Sequence, residues 1–170
     1  MDVTLLARKL IPGFDVEGPV QAEVFVLWLD RGRPALTGPC GPEPWYLEVG
    51  ADEDPMDVVT AAVRRVLGDP HVVHSTSWRR GRDAVVLSFV AVIEPGLVGE
   101  LGSVPVGRSD LARGAADAAP ASIATGQVLE HGLRHLAWLV RDDRVVGERL
   151  AGGWTGALGD YVPEPFRNLR

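Results

Sequence analysis

The first half of the chain alternates apolar runs with polar turns that contain glycine or proline, a pattern typical of strands. The segment 21–29 (QAEVFVLWL) is mostly apolar and rich in β-branched and aromatic residues, so it predicts a buried strand. Four further segments have strand character: 35–37, 45–49, 72–78 and 84–93. A polar turn at 79–83 joins the last two segments and predicts an antiparallel hairpin.

Helical periodicity marks the remaining regular segments. Asp54 supplies an N-cap acceptor and Pro55 suits the first helical position. Apolar residues then recur at helical spacing until the stop at 68–70, which predicts an amphipathic helix. Three more helices are predicted in the last third of the chain, at 123–140, 145–150 and 154–158.

These elements predict an α/β (α+β) fold in a single domain spanning residues 1–170. Within it we expect an N-terminal arm (1–19), a sheet with the capped helix (20–95), a loop region (96–121) and C-terminal helices with a tail (122–170). The loop region is rich in Gly, Ala and Pro, and we expect one short strand in it, near 104–106.

Composition narrows the possible partners and the compartment. A formal net charge of −6 disfavours a phosphate-backbone footprint, so nucleic acid is not an expected partner. A single cysteine, Cys40, fits a reducing compartment, and we expect it to be an unreactive loop thiol. Neither a signal peptide nor an apolar run of about 18 residues is present, so we expect a cytoplasmic protein without membrane contact. Lys9 is the only lysine, which suggests a bacterial genome of high GC content.

The segment 45–50 (WYLEVG) and the helix after it are similar to the signature of the Nudix family. That signature runs Gly, five residues, Glu, seven residues, Arg-Glu-apolar-x-Glu-Glu-x-Gly-apolar, and its lead-in is commonly Trp-x-Leu-Pro-Gly-Gly. Counted without gaps from Gly50, the pattern places Arg64 on its arginine and Val66 and Val72 on its two apolar positions. The resemblance covers about 20–93 and implies a mixed-sheet α/β/α sandwich.

The catalytic positions of that signature have changed. Met56 and Arg65 replace two of its glutamates, Gly68 and Asp69 stand at the paired glutamates, and His71 replaces the last glycine. Family members use these carboxylates to hold divalent cations that neutralise a pyrophosphate and activate water. The resemblance therefore implies a degenerate Nudix box.

Two functional hypotheses follow from the resemblance. The first is a catalytically degenerate domain that binds an unknown small molecule or a protein partner and needs no cofactor. Its candidate ligand-binding residues are Trp45, Glu48, Arg64, Arg65 and Trp78. The alternative is a divergent divalent-metal-dependent hydrolase of nucleoside diphosphate-type substrates, which would use magnesium. Its candidate metal ligands are Asp52, Glu53 and Asp69, with Glu48 and Asp54 beside them.

Two further possibilities remain open from the residues, and two histidine motifs are weighed against simpler interpretations. An unrelated α/β domain could share the Trp-x-Leu strand and the capped helix. The apolar stripe of 123–140 could pack against a second copy and form a homodimer. His131 and His135 are spaced to share one helix face, but Gly132 stands where the zinc-protease pattern requires Glu, so we expect surface or half-buried histidines. His74 precedes three hydroxyl residues in a strand, where neighbouring side chains point to opposite faces, which disfavours a Ser-His pair.

Overall fold

The computed structural model describes residues 18–94, 101–112, 120 and 122–163. Its six strands are β1 (Val20–Asp30), β2 (Arg33–Thr37), β3 (Trp45–Val49), β4 (Val72–Arg80), β5 (Val85–Val92) and β6 (Val104–Pro105). Its helices are α1 (Pro55–Leu67), α2 (Thr125–Asp142), α3 (Arg144–Arg149) and α4 (Trp154–Ala157).

The long strand β1 organises a mixed six-stranded sheet. On one side it pairs in parallel with β5. On its other side, residues 20–24 pair with β3 and residues 26–30 pair with β2, both antiparallel. The strand order is therefore β4-β5-β1-β2-β6, with β3 bonded to the first half of β1. In the described part of the chain, β4 has a hydrogen-bonded neighbour on one side alone, so it is an edge strand.

A helical layer covers each face of the sheet. Because side chains of a strand alternate between faces, β1 contributes Val24 and Val26 to one core and Phe25 and Leu27 to the other. The first core packs against α1, whose buried residues include Val59, Val63 and Leu67. The second packs against α2 and the short helices after it through Leu133, Leu136, Leu150 and Trp154. The result is the α/β/α sandwich that the resemblance implies.

The close contact between α2 and the sheet depends on a glycine. A Cβ atom added at Gly132 would lie 2.9 Å from Cγ1 of Val90 on β5. Such a contact is too short for real atoms, so the side-chain-free position lets the helix approach the strand closely.

The predicted helices and strands are confirmed, with ends that move by a few residues. The hairpin strand β4 continues to Arg80, two residues beyond its predicted end, and contains a bulge between Ser75 and Ser77. The parallel pairing of β1 with β5 has no counterpart among the predictions, because apolar runs do not reveal which distant strand they meet. Most of the predicted N-terminal arm, and parts of the loop region and the tail, lie outside the described residues.

The apolar stripe of α2 is buried inside the chain. Val128, Leu129, Leu133 and Leu136 all belong to the core on that face of the sheet. The surface on which the dimer hypothesis rests is therefore covered by the chain itself, and the homodimer stays a prediction. No helix among the described residues has the length and apolar character needed to cross a membrane.

Candidate functional site

A buried carboxylate lies in the middle of the sheet. Glu23 of β1 is completely inaccessible to solvent, like the core residues Ala22 and Val24 on either side of it. It points to the face covered by α2, the same face as Phe25. A charge in such a place requires partners, since desolvating an unpaired carboxylate is very costly.

Arg79 of β4 supplies the opposite charge. Its Nη1 donates to Oε2 of Glu23 at 2.6 Å and its Nη2 donates to Oε1 at 2.7 Å. Ser88 lies on β5 between the two strands, where its hydroxyl accepts from Nη1 of Arg79 at 3.0 Å and donates to Oε2 of Glu23 at 3.0 Å. The hydrogen bonds that Arg79 donates to Glu23 raise the pKa of Arg79, so the guanidinium stays charged.

Tyr46 of β3 completes this group from the other side. Its hydroxyl donates to Oε1 of Glu23 at 2.7 Å, while the residue as a whole is 49% exposed. Burial of the hydroxyl, aided by the hydrogen bond and negative charge of Glu23, raises the pKa of Tyr46 to about 12. The phenol is therefore a neutral donor at physiological pH. We call Glu23, Tyr46, Arg79 and Ser88 the four-strand cluster, since each residue comes from a different strand.

The cluster has a buried base and an accessible rim. The side chain of Arg79 is 23% exposed, and three of its five N–H donors are used by Glu23 and Ser88 in the described part of the chain. Glu48 lies two residues beyond Tyr46 on the same face, opposite Gln21 of β1, and it is exposed. Arg79 also has a hydrogen-bond interaction with Tyr46. The rim thus offers an aromatic ring, the part of the guanidinium that these partners leave accessible, and a carboxylate.

The signature positions on α1 form no carboxylate cluster. The helix ends at Leu67, so Gly68 and Asp69 lie just beyond its last residue, and Gly68 has a positive φ of 84°. Asp69 accepts from Nε of Arg64 at 2.5 Å in an exposed ion pair. Met56 lines a groove of about 280 Å³ between α1, the start of β4 and α3.

Two acidic residues before α1 accept hydrogen bonds from the nearby backbone. Oε2 of Glu53 accepts from the backbone N–H of Gly50 at 2.8 Å, and Asp54 caps the helix by accepting from the N–H of Met56 at 2.7 Å. Asp52 is exposed. Among the described residues, no group of three or more His, Cys, Asp or Glu side chains could hold a metal ion. The structure therefore does not bring Asp52, Glu53 and Asp69 together as a metal site.

The five predicted ligand-binding residues are also spread over the molecule. Trp45 is partly buried in the core beneath α1, whereas Glu48 points to the opposite face of the sheet. Arg64 and Arg65 are exposed in the last turn of α1. Trp78 is 52% exposed, and it lies on the face opposite that of Arg79. Glu48 is the member of this set that borders the four-strand cluster.

A second buried carboxylate fastens the loop segment around Arg108 to α2. Glu130 is 1% exposed, and it accepts from Arg108 at 2.9 and 3.1 Å and from Arg134 at 3.0 Å. Burial alone would raise the pKa of Glu130, but these hydrogen bonds, with one from the N–H of Ser109, outweigh that effect and lower it. Arg108 also covers the ring of Tyr161 at 4.2 Å. This network has a structural role, since both oxygens of Glu130 accept hydrogen bonds from groups of the chain itself.

Three histidines meet where α2 packs on β4. The rings of His131 and His135 are 4.6 Å apart, and the rings of His74 and His135 are 5.8 Å apart, measured between centroids. His135 is 1% exposed, so the expectation of surface or half-buried histidines is wrong for this residue. Burial lowers the pKa of His74, and the nearby Asp143 only partly opposes the effect.

No protein-family model matches the chain, and no curated protein matches it. Among solved structures, the chain is similar to the crystal structure of a MutT/nudix family protein from Enterococcus faecalis. The alignment covers 100% of this chain and 84% of that chain, with a TM-score of 0.50 and 10% sequence identity. The chain has a Nudix-like fold. At this identity the likeness concerns the fold, and the activity of the other protein is not transferred with it.

Sequence reasoning missed the four-strand cluster, although its signals are present. Glu23 and Ser88 interrupt otherwise apolar strands, and a polar residue inside such a run needs a partner on the same face. The turn predicted at 79–83 includes Arg79, which instead lies in β4 and alternates with Trp78 between the two faces of the sheet. Recognising the parallel register of β1 and β5 was necessary to place Glu23 beside Ser88.

Proposed function

We propose that this chain is a Nudix-like domain that binds a small polar ligand without hydrolysing it, at the rim of the four-strand cluster. The main support for the proposal is the loss of carboxylates at the positions of the Nudix signature. Asp69 is the one acid left on them, and it is ion-paired with Arg64. A pyrophosphohydrolase needs several oxygen ligands converging on a hard cation, and these residues do not provide them.

The chemistry of the rim favours a planar, uncharged group such as a nucleobase. The half-exposed ring of Tyr46 offers a stacking surface, and the remaining N–H donors of Arg79 can bond a carbonyl or ring nitrogen. The charge of Arg79 is balanced by Glu23, and Glu48 adds negative charge nearby. A polyanion would therefore meet no net attraction, which argues against phosphate groups as the main contact.

The proposal is tested by calorimetric titration of the purified chain with nucleobases, nucleosides and nucleoside diphosphate derivatives, with and without magnesium or manganese. We expect at least one compound to bind without metal. Replacing Tyr46 by Ala should weaken that binding by about tenfold, because stacking on an aromatic ring contributes roughly 1–3 kcal/mol per base. Replacing Trp78, an exposed aromatic residue on the opposite sheet face, by Ala is the matched control and should leave the affinity unchanged.

Two results would overturn this proposal. Absence of binding across the whole series would remove the small-ligand function and leave the protein-interaction hypothesis. Metal-dependent hydrolysis that is lost in Asp52→Ala, Glu53→Ala or Asp69→Ala would establish the alternative, a divergent hydrolase that uses the acidic loop.

A further inference from the structure

Strand β4 runs for nine residues along one edge of the sheet, and in the described part of the chain β5 is its one hydrogen-bonded neighbour. The N–H groups of Val85 and Ile93 point to the β1 side, where they bond the carbonyls of Pro19 and Leu27. Because backbone groups alternate along a strand, the even-numbered residues of β5 bond to β4. The residues of β4 whose backbone groups point away from β5 are therefore Val73, Ser75, Trp78 and Arg80.

The bulge in β4 gives this outer edge an irregular spacing. Ser75 pairs with Phe89 and Ser77 with Ser88, so Thr76 is the extra residue. The outward-facing residues are consequently separated by two, three and two positions. A regular strand has outward groups at every second residue, so it matches only one half of this edge. A second β4 that runs antiparallel has the same interruption in the same place and matches the whole edge.

A twofold axis at the bulge sets the register of such a pair. Val73 then lies opposite Arg80 of the second copy, and Ser75 lies opposite Trp78 of the second copy. Facing residues of this kind exchange two backbone hydrogen bonds. The side chains also fit, because all four lie on the face of α1 and each large one meets a smaller one. Trp78 is 52% exposed, so the pairing would bury apolar surface.

The same register brings opposite charges together at each end of the edge. Continued by two residues, it places the exposed Arg82 of the second copy opposite His71. His71 contacts Glu94, whose side chain is 61% exposed, so this carboxylate lies within reach of the incoming guanidinium. Arg64 lines the groove at this end of β4, but its charge is already balanced by Asp69.

The start of this edge is accessible between the two helical layers. The groove of about 280 Å³ between α1 and α3 is lined by Val72 and Val73 of β4. Met56 of α1 and Val146 of α3 form its two walls. The helices thus flank the start of the strand, and a second strand can approach it in the plane of the sheet.

We propose that two copies of this chain pair through their β4 strands in antiparallel register, which joins the two sheets into one continuous sheet across a twofold axis. This surface differs from the apolar stripe of α2, which is buried in the chain's own core. The dimer does not depend on the proposed ligand, since each four-strand cluster is complete within one chain.

Sedimentation velocity of the full chain, from low to high micromolar concentration, measures the association. We expect a monomer–dimer equilibrium. Ser75→Pro removes an N–H that points away from β5, so β4 keeps its bonds to β5 while the second copy loses a donor. This variant should be monomeric with an unchanged circular dichroism spectrum. A wild-type chain that stays monomeric at every concentration, or a folded Ser75→Pro that still dimerises, would overturn the proposal.

Charge reversal tests the register and does not depend on how the chain tolerates proline. Arg82→Glu and Glu94→Arg should each weaken dimerisation by roughly tenfold, because the twofold axis repeats the lost ion pair. The double variant should recover most of the affinity, since the pair is restored with its signs exchanged. Arg33→Glu is the matched control, because Arg33 is an exposed arginine of β2, on the other side of β1 from β4. Equal weakening in Arg33→Glu, or no recovery in the double variant, would refute this pairing.

Discussion

Arg79 and Glu23 form a two-pronged ion pair between strands that are not neighbours. The two contacts measure 2.6 and 2.7 Å, and β5 lies between the strands that carry the two residues. Ser88 on this middle strand bonds both side chains, so the pair also fixes how β4, β5 and β1 are aligned. The same pair presents Arg79 at the rim, which links the stability of the sheet to the proposed binding site.

Breaking this pair on one side should be strongly destabilising. Arg79→Met would leave the carboxylate of Glu23 buried without its counter-charge, and we expect a loss of roughly 3–5 kcal/mol in the free energy of unfolding. The double variant Glu23→Met/Arg79→Met should lose less than Arg79→Met alone, because no uncompensated charge remains. Urea denaturation measures both.

An exposed arginine provides the comparison for this result. Arg64→Met removes the solvent-exposed pair with Asp69 and should cost below about 1 kcal/mol. Equal losses of unfolding free energy in Arg64→Met and Arg79→Met would show that the buried pair stabilises the fold no more than the exposed pair does.

The phenol of Tyr46 should titrate far above an ordinary tyrosine. In a Tyr161→Phe background Tyr46 is the sole tyrosine, and its ultraviolet absorbance should report a pKa of about 12 rather than 10. Because the folded pKa is raised, this group stabilises the fold below pH 10, and the contribution is lost as the pH rises towards 12. Adding Glu23→Gln should lower the value, and an unchanged pKa in that variant would contradict the contact between the two residues.

Two glycines of α2 should respond differently to alanine. At Gly132 the new Cβ would lie 2.9 Å from Val90, so Gly132→Ala should destabilise the chain by roughly 1–3 kcal/mol through overpacking. At Gly126 the nearest atoms lie at 3.7 Å, an ordinary contact, and alanine should be neutral or stabilising by up to about 1 kcal/mol. Thermal denaturation of both variants measures the difference. Equal effects would mean that α2 does not approach β5 as closely as described.

Local patterns predicted the elements of this fold better than its contacts. The helix after Asp54 was predictable because its cap, its first proline and its apolar spacing are all encoded within fifteen residues. The parallel pairing of β1 with β5 was not, since it joins segments that are distant in sequence and almost uniformly apolar. The candidate site depends on that pairing, so Glu23 and Ser88 could be recognised as unusual residues but not as partners.

The histidines illustrate the same limit. The spacing of His131 and His135 correctly indicated a shared helix face. Nothing in the sequence indicated that β4 would bring His74 to the same place, because that contact depends on how α2 lies across the sheet. The apolar stripe of α2 was equally ambiguous, since a stripe of this kind can face a partner chain or the chain's own sheet.

The most direct test of the central claim is to incubate the purified chain with the bound compound identified by calorimetry, in magnesium or manganese, and to analyse the compound afterwards. We expect binding that does not require metal and full recovery of the intact compound. Metal-dependent conversion of the compound to hydrolysis products, abolished in Asp69→Ala, would contradict it.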